Sequence, residues 1–352
     1  MKPIKQAIGT VSTYSYLARA LVLATSFLEH NADSDVVVLI ADMSQLQVDR
    51  LELHLSNDIK IKFLGIDSLQ YPEISGMRSY FSTFEYCCAV KAFLMDNLLN
   101  QRGYGYVILL DPDIQVFSSF DTCWEKLSST GMLLTPHTES VYPADGLSPD
   151  DWELVTSGFI NAGFWGANAQ HCQEALQWMK KMVVRYGFFS PENNLYSDQL
   201  LMSCLPWYFS KNTQISRDPG LNVAYWNLHE RMLSETDGVY KVNMQKIVFF
   251  HYSGFTEIAP HNLSMHTSRV FTSLNQVLLP MQVDYAKKIQ KQQIKLTAAK
   301  PDMPTSSLTI VKRIAQYKKA EYAIPAVINK FQFEWLNPFK HIFLNVMDRL
   351  SL

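Results

Sequence analysis

Residues 107–117 read VILLDPDIQVF, and this stretch is the best guide to the fold. Four apolar residues have the composition of a buried strand, and two carboxylates, Asp111 and Asp113, follow where that strand ends. Carboxylate oxygens are the hard ligands that Mg²⁺ and Mn²⁺ prefer, so the pair is a candidate metal site. The alternative is a turn with two solvated aspartates, in which Pro112 fixes the backbone.

Apolar strands of this kind alternate with helical patterns through the first third of the chain. The pattern predicts strands at residues 4–12, 35–41, 59–64 and 104–110, and helices at residues 14–30, 44–55 and 84–99. Such alternation is typical of an α/β domain with a parallel sheet covered by helices. Ligands bind beyond the carboxyl ends of such strands, so residues 10–14 and 111–113 are expected at the same rim.

After residue 120 the pattern becomes mixed, with strands predicted at 131–135, 159–166 and 247–251, and helices at 169–186 and from 198 to 205. Residues 157–168 (SGFINAGFWGAN) place Asn161 in a glycine-rich strand. Glycines in a strand mark close approach of a ligand or another backbone, and Asn161 is a candidate to hydrogen-bond a ligand's hydroxyl groups. A bulged core strand is an equally good explanation.

Two further motifs carry polar groups beside apolar runs. In SDQLL (197–201), Asp198 and Gln199 either face a ligand or begin a helix, with Ser197 or Asp198 as its cap. In VFFHYSG (248–254), a strand delivers His251 beside Ser253 and Gly254. The histidine is either a metal or phosphate contact or a structural core residue.

Composition excludes several classes of protein. A net charge of -2 over 352 residues argues against nucleic-acid binding by the whole chain, and 47% apolar residues argue against disorder. The five cysteines form no CxxC pair, which argues against a zinc site or a disulfide framework and fits reduced thiols in a cytoplasmic protein. No segment has the length and apolarity of a membrane span or a signal peptide.

The C-terminal part has a different composition, and we predict a domain at residues 1–280 followed by a helical tail at 281–352. Residues 285–319 carry nine Lys or Arg and one acidic residue, and residues 331–350 are rich in aromatic side chains. Such a tail either contacts an anionic membrane peripherally, at the inner face of the cell membrane, or packs on the domain with a solvated basic face.

Taken together and in order, these motifs resemble retaining glycosyltransferases of the GT-A fold, a Rossmann-like nucleotide-sugar transferase fold. The similarity is to the glycogenin and bacterial lipopolysaccharide galactosyltransferase family (glycosyltransferase family 8), from residues 10–27 through His251. A second resemblance, to uncharacterised bacterial glycosyltransferases, covers roughly residues 105–255. It rests on the segments LDPDIQVF, LLTPH, INAGF, SDQ, RDPGLNVAYWNLHER and FFHYSGF.

The resemblance implies a hexosyltransferase that uses a nucleotide sugar, by default a UDP-hexose, and a glycan or lipid-linked acceptor in surface polysaccharide or lipopolysaccharide synthesis. It implies that Asp111, Asp113 and His251 bind Mn²⁺ or Mg²⁺, and that Asp198 and Gln199 act in catalysis, Gln199 near the anomeric carbon. The implied donor-binding residues are Thr10, Ser12, Tyr16, Lys91, Asp111, Pro112, Asn161, Ala162, Gly163, Ser253 and Gly254.

The sequence also departs from the family pattern. Glu257 stands where the family has a lysine that contacts the diphosphate, and Asn227, His229 and Arg231 are candidates to compensate. Two other classes therefore stay open. One is a haloacid dehalogenase-like phosphotransferase with Asp111 as nucleophile, and the other is a non-catalytic sugar-nucleotide-binding protein.

Overall fold

The computed structural model describes residues 4–55, 60–269 and 275–299. Its strands are β1 (Gln6–Ser12), β2 (Asp35–Ile40), β3 (Ile61–Gly65), β4 (Tyr106–Leu110), β5 (Ile114–Val116), β6 (Met132–Pro136), β7 (Ile160–Asn168), β8 (Phe189–Ser190), β9 (Leu195–Tyr196), β10 (Thr213–Ile215), β11 (Leu233–Thr236), β12 (Val239–Val242), β13 (Gln245–Lys246) and β14 (Phe249–His251). Its helices are α1 (Leu17–His30), α2 (Gln45–Leu55), α3 (Pro72–Tyr80), α4 (Thr83–Asp96), α5 (Asp121–Ser129), α6 (Asp151–Ser157), α7 (Gln173–Tyr186), α8 (Gln199–Met202), α9 (Leu205–Tyr208) and α10 (Asn275–Ala299).

Within the described residues, the central sheet has seven strands in the order β10-β6-β7-β4-β1-β2-β3. The parallel pairing of β3, β2, β1 and β4 confirms the α/β prediction. Strand β7 lies between β4 and β6 and is antiparallel to both. The sheet is therefore mixed, and the glycine-rich segment lies beside the strand that carries the two aspartates.

Helices cover both faces of the sheet because successive strand residues point to opposite sides. Val36 and Val38 pack on the side of α1, α2, α5 and α10, whereas Val37 and Leu39 pack on the side of α3, α4 and α7. Strands buried on both faces have nearly continuous apolar sequences, which is why β2 and β4 were recognisable from sequence.

The strand that ends at His251 does not join the central sheet, although a buried strand was predicted there. Instead β14 pairs antiparallel with β5, the short strand that directly follows the two aspartates. This pairing returns the chain to the rim of the sheet, and His251 lies opposite Ile114.

Several helix boundaries differ from the prediction. The helix expected to begin at residue 198 is two short helices, α8 and α9, because Pro206 lies in the first turn of α9 and is incompatible with a helix interior. Helix α4 ends at Asp96 and continues as a π-helical turn, Asn97–Gln101. Helix α3 was not predicted.

Helix α10 runs across residue 280, where a domain boundary was predicted. Beyond that point Tyr285 is fully buried and stacks on Tyr252, with ring centroids 3.9 Å apart, and Leu296 is also buried. The part of the predicted basic tail up to residue 299 thus packs on the α/β core. The rest of that tail, residues 300–352, lies outside the described residues.

Among the described residues, no helix is both long and apolar enough to cross a membrane. The cysteines Cys87, Cys88, Cys123, Cys172 and Cys204 are all free thiols in the structure.

Candidate functional site

Asp111, Asp113 and His251 form a cluster at the rim of the sheet. Each offers a ligand atom, and these atoms all lie within 4.8 Å of one another. Nε2 of His251 lies 3.1 Å from Oδ1 of Asp113 and 3.9 Å from Oδ2 of Asp111. The three residues that were predicted as metal ligands are therefore brought together.

Backbone hydrogen bonds hold the cluster in place. The amide of Asp111 donates to the carbonyl of Gly163 at 3.0 Å, which ties the end of β4 to β7. The amide of Tyr252 donates to the carbonyl of Asp113 at 2.8 Å, which ties the end of β14 to the turn between β4 and β5. Pro112 lies in that turn. The cluster is thus built where three strands meet.

The surroundings of Asp113 favour its ionised form. Burial opposes ionisation of Asp113, but the neighbouring imidazole of His251 outweighs it and holds the pKa of this carboxyl below its usual range. Such a carboxylate is ready to bind a cation without first losing a proton.

Lys91 joins the cluster to a third carboxylate. Its Nζ lies 2.6 Å from Oδ1 of Asp111 and 3.2 Å from Oδ2 of Asp198, and it donates to the carbonyl of Ala162 at 3.2 Å. Burial alone would lower the pKa of Lys91, but Asp111 and Asp198 outweigh it and raise this pKa well above its usual value. Lys91 therefore stays charged. It contacts Oδ1 of Asp111, whereas Oδ2 of Asp111 faces His251.

Asp198 is buried at the N-cap position of α8, the place that the capping alternative gave it. Its side chain makes no capping hydrogen bond there, so the carboxylate does not serve as a cap. Burial raises the pKa of its carboxyl, with Lys91 acting in the opposite direction. A buried carboxylate beside a lysine and a candidate metal site is a candidate functional group.

The two predicted amide side chains are already engaged within the protein. Gln199 donates from Nε2 to the carbonyl of Ser157 at 3.1 Å. The side-chain oxygen of Asn161 accepts from the amide of Gly163 at 3.0 Å and from Nδ2 of Asn222 at 2.9 Å. The oxygen of Asn161 is thus saturated, and only its amino group has a hydrogen left for a ligand.

Gly163 leaves room for the histidine of the cluster. A Cβ atom at this position would lie 2.4 Å from Cε1 and 2.8 Å from Nδ1 of His251. The glycine of INAGF is therefore required by close approach of a side chain from β14, whereas the sequence predicted a ligand or another backbone there.

The N-terminal candidates lie at the same rim, as expected. Thr10 and Ser12 are buried residues of β1, and Ser12 donates from Oγ to the carbonyl of Thr13 at 2.9 Å. Oγ1 of Thr10 is buried without a partner among the described residues. Burial raises the pKa of Tyr16, and Asp113 raises it further, which places this phenol close to the cluster.

Ser253 and Gly254 lie in the turn that follows β14. Gly254 has φ +72°, a left-handed conformation that favours glycine, and a Cβ there would lie 2.5 Å from Ser264 Oγ and from a ring carbon of His266. This glycine therefore serves the turn itself.

The acidic residue that replaces the expected lysine forms an ion pair. Oε2 of Glu257 lies 2.6 Å from the guanidinium of Arg19, and its Oε1 accepts from Gln293 at 2.5 Å. The guanidinium also lies 4.3 Å from the centre of the Tyr16 ring. Glu257 thus joins α1 to α10 and brings a cation beside Tyr16.

Two of the three candidates to compensate for Glu257 have structural roles. Asn227 donates to the carbonyls of His137 and Asn222, and Arg231 donates to the carbonyls of Pro219 and Leu221. Burial lowers the pKa of Arg231 to about 10, with Glu230 opposing. The third, His229, lies 3.3 Å from the hydroxyl groups of Thr138 and Ser140.

Sequence reasoning did not assign His137 or Trp226, which lie beside the cluster. Burial lowers the pKa of His137 to about 4, so its ring is neutral at pH 7. Trp226 packs edge-on against both His137 and His251, with ring centroids 5.4 and 5.1 Å apart. Nδ1 of His137 and Nε1 of Trp226 are buried without a hydrogen-bond partner among the described residues. Both lie in the quoted segments LLTPH and RDPGLNVAYWNLHER.

The comparisons with known proteins support the same fold. The chain is 16% identical to galactosyltransferase LgtC, whose crystal structure contains donor and acceptor sugar analogs. The two superpose with a TM-score of 0.51 over 82% of this chain and 99% of LgtC. The chain has the GT-A fold. The predicted resemblance to GT-A glycosyltransferases is thereby confirmed at the level of the fold.

Sequence comparison alone adds less about activity. The chain is 24% identical to the uncharacterised protein YfnD of Bacillus subtilis (strain 168) over 260 residues, which is 73% of this chain and 80% of YfnD. No model of a known protein family matches the chain.

Proposed function

We propose that this protein is a metal-dependent glycosyltransferase that moves a hexose from a nucleotide sugar to an acceptor. The observation that carries the proposal is the Asp111–Asp113–His251 cluster at the rim of a GT-A sheet. Two carboxylates and an imidazole form a donor set that suits Mn²⁺ or Mg²⁺.

A bound divalent cation would neutralise negative charge on the departing nucleoside diphosphate. Asp111, Asp113 and His251 would hold it. Lys91 keeps one oxygen of Asp111 occupied and balances Asp198, so that these carboxylates stay fixed while a charged donor enters. Asp198 and Gln199 would lie beside the reacting sugar, Asp198 positioning it and Gln199 near the anomeric carbon.

The unpartnered groups around the cluster fit a ligand rich in hydroxyl groups. Buried N–H donors without a partner are rare and are costly to leave unsatisfied. The ring N–H groups of His137 and Trp226, together with the remaining hydrogen of Asn161, would bond to sugar oxygens.

The other predicted donor-binding residues would surround the rest of the nucleotide sugar. The nucleotide, for which uridine is our first choice, would contact Thr10, Ser12 and Tyr16. The donor would also be lined by Ala162, Gly163, Ser253 and Gly254.

The test is incubation of the full chain with UDP-, GDP-, ADP- and dTDP-sugars, with Mn²⁺ or with EDTA, while nucleotide release is measured. We expect release from a UDP-hexose with Mn²⁺ and none in EDTA. Release of inorganic phosphate from a sugar phosphate added to the same panel, through phosphorylated Asp111 that water then hydrolyses, would support the phosphotransferase alternative. Tight donor binding without any release would support the non-catalytic alternative.

The acceptor and the stereochemistry are finer parts of the proposal. We propose a glycan or lipid-linked acceptor in surface polysaccharide or lipopolysaccharide synthesis, and retention of the anomeric configuration. Once an acceptor is found, proton NMR of the first product formed distinguishes retention from inversion. An inverted product would remove the retaining mechanism without affecting the metal site.

Peripheral contact with an anionic membrane is a further part of the proposal, carried by the basic and aromatic composition of the tail. Because α10 packs on the core, the appropriate truncation ends at residue 299. We expect the full chain, and less of the truncated one, to sediment with phosphatidylserine vesicles at low salt. Equal sedimentation of the two would contradict this part.

A further inference from the structure

Four side chains form a hydrogen-bonded chain behind the candidate metal site. Nδ1 of His251 lies 3.1 Å from Oδ1 of Asn222, and Nδ2 of Asn222 lies 2.9 Å from Oδ1 of Asn161. Nδ2 of Asn161 lies 3.1 Å from Nε2 of His137. These residues are between 0% and 8% exposed, so water does not compete for these bonds.

One backbone group fixes which atom donates and which accepts in each of these side-chain hydrogen bonds. The amide of Gly163 can only donate, and it lies 3.0 Å from the side chain of Asn161, so the atom it faces must be the oxygen. That oxygen also faces the side chain of Asn222, which must therefore present its amino group. The amino group of Asn222 makes a second bond, to Oγ1 of Thr135 at 2.9 Å.

The orientation of Asn222 decides where His251 carries a hydrogen. The remaining atom of the Asn222 amide is its oxygen, which can only accept, so Nδ1 of His251 must be protonated. The other ring nitrogen, Nε2, lies 3.1 Å from Asp113 and faces the two carboxylates. In a neutral ring, Nε2 is then the nitrogen with a free lone pair.

We propose that Asn222 is a positioning residue that holds His251 with Nδ1 protonated and Nε2 free to bind the cation. The inference rests on the proposed metal role of His251. It assigns a function to Asn222 in the segment RDPGLNVAYWNLHER, because its side chain contacts the ring nitrogen of His251 opposite to the one that faces the carboxylates. Partners of this kind hold metal-binding histidines in one orientation and raise their affinity for the ion.

The backbone of Asn222 is built for this task. It has φ +53°, a left-handed conformation that asparagine and glycine tolerate better than other residues. Its carbonyl accepts from Nδ2 of Asn227 at 2.9 Å, and the residue is fully buried. Both hydrogens of its side-chain amino group are used by Asn161 and Thr135, and His251 is the partner recorded for its side-chain oxygen among the described residues.

The direct test is ¹⁵N NMR of the full chain labelled at histidine, with and without Zn²⁺ as a diamagnetic cation. Signals of His251 are identified by their loss in His251→Gln. We expect Nδ1 of His251 to be protonated in both samples, and Nε2 to carry no proton when Zn²⁺ is bound. An unprotonated Nδ1 in the wild-type protein would overturn the proposal.

A matched pair of variants tests the consequence. Asn222→Gly keeps the left-handed backbone and removes the amide, and Asn243→Gly does the same at φ +48° in the turn after β12. We expect Asn222→Gly to weaken Mn²⁺ binding by about 10- to 100-fold and Asn243→Gly to leave it unchanged. Unchanged affinity in Asn222→Gly would overturn the positioning role.

These readouts need no sugar donor, so they separate this inference from the proposed enzyme activity. If His251→Gln binds Mn²⁺ like the wild type while Nδ1 of His251 is protonated, the metal role of His251 fails and the hydrogen-bond assignment stands. If the protein binds Mn²⁺ as expected but turns over no nucleotide sugar, only the proposed activity fails.

Discussion

Nζ of Lys91 lies 2.6 Å from Oδ1 of Asp111, and only 11% of the lysine side chain is exposed. The same ammonium reaches Asp198 at 3.2 Å, so one buried cation balances two carboxylates. Removing this cation would leave both carboxylates without a counter-charge, which is far more destabilising than losing an exposed ion pair.

We expect Lys91→Met to lower the free energy of unfolding by about 3–5 kcal/mol, as urea denaturation would measure. The control is Lys180→Met, which breaks a similarly buried pair with Asp96, 2.7 Å long and away from the cluster. Both variants should lose stability, but only Lys91→Met should change Mn²⁺ affinity. Equal Mn²⁺ affinity in the two variants would show that Lys91 does not influence the cation site.

Asp198→Asn should separate activity from stability. Burial raises the pKa of Asp198 in the folded protein above its value in the unfolded chain. Ionised Asp198 therefore lowers the stability of the fold at pH 7, and this loss is relieved as the pH falls through the folded-state pKa. We therefore expect Asp198→Asn to be at least as stable as the wild type at pH 7. Donor turnover should fall by about 100-fold or more, as for loss of a positioning group.

Asp96→Asn is the control, because its expected change in stability at pH 7 has the opposite sign to that of Asp198→Asn. Burial opposes ionisation of Asp96, but Lys180 and neighbouring hydrogen bonds outweigh it and lower the pKa, so its carboxylate stabilises the fold above the unfolded-state pKa. This variant should lose stability at pH 7 and keep its turnover per folded molecule. Wild-type turnover in Asp198→Asn would rule out a catalytic role for Asp198.

Gly163→Ala should displace His251, because the added Cβ would lie 2.4 Å from its ring. We expect Mn²⁺ affinity to fall by about 10-fold or more, as isothermal titration would measure. In Gly76→Ala, the new Cβ meets no atom within 4 Å in an exposed part of α3, and stability should rise by up to about 1 kcal/mol. Wild-type Mn²⁺ affinity in Gly163→Ala would mean that the His251 ring can move without weakening Mn²⁺ binding.

His137 predicts how stability depends on pH. Its pKa is lowered to about 4 by burial, below the unfolded value of about 6.5, so protonation favours the unfolded chain. The free energy of unfolding should therefore fall by up to about 3 kcal/mol as the pH falls from about 6.5 to about 4. His137→Gln should flatten this part of the curve, whereas His171→Gln, at an exposed position, should not. Equal slopes for the two variants would contradict the burial of a neutral His137.

The first four strands could be predicted because apolar runs alternate with helical patterns in this part of the chain. The direction of β7 could not, since a strand buried on both faces has the same composition whether it runs parallel or antiparallel. The pairing of β14 with β5 was also hidden, because β5 has only three residues and follows the aspartates directly.

The ligand cluster could be predicted from residue types at strand ends, but its supporting residues could not. Asn222 and His137 lie outside the strands, and their roles depend on contacts between segments 61 and 24 residues away from Asn161. Asp198 carried a cap-like signal in sequence, whereas its actual partner, Lys91, is distant in the chain. Such roles follow from tertiary contacts that have no local pattern.

The measurement that tests the central claim most directly is a Mn²⁺ titration of the full chain followed by electron paramagnetic resonance, with and without UDP. We predict one bound Mn²⁺ per chain, held more tightly with UDP, and loss of this binding in Asp113→Asn while the variant stays folded, as its circular dichroism spectrum would show. Undiminished Mn²⁺ binding in folded Asp113→Asn, or no binding by the wild type even with UDP, would contradict a metal site at Asp111, Asp113 and His251.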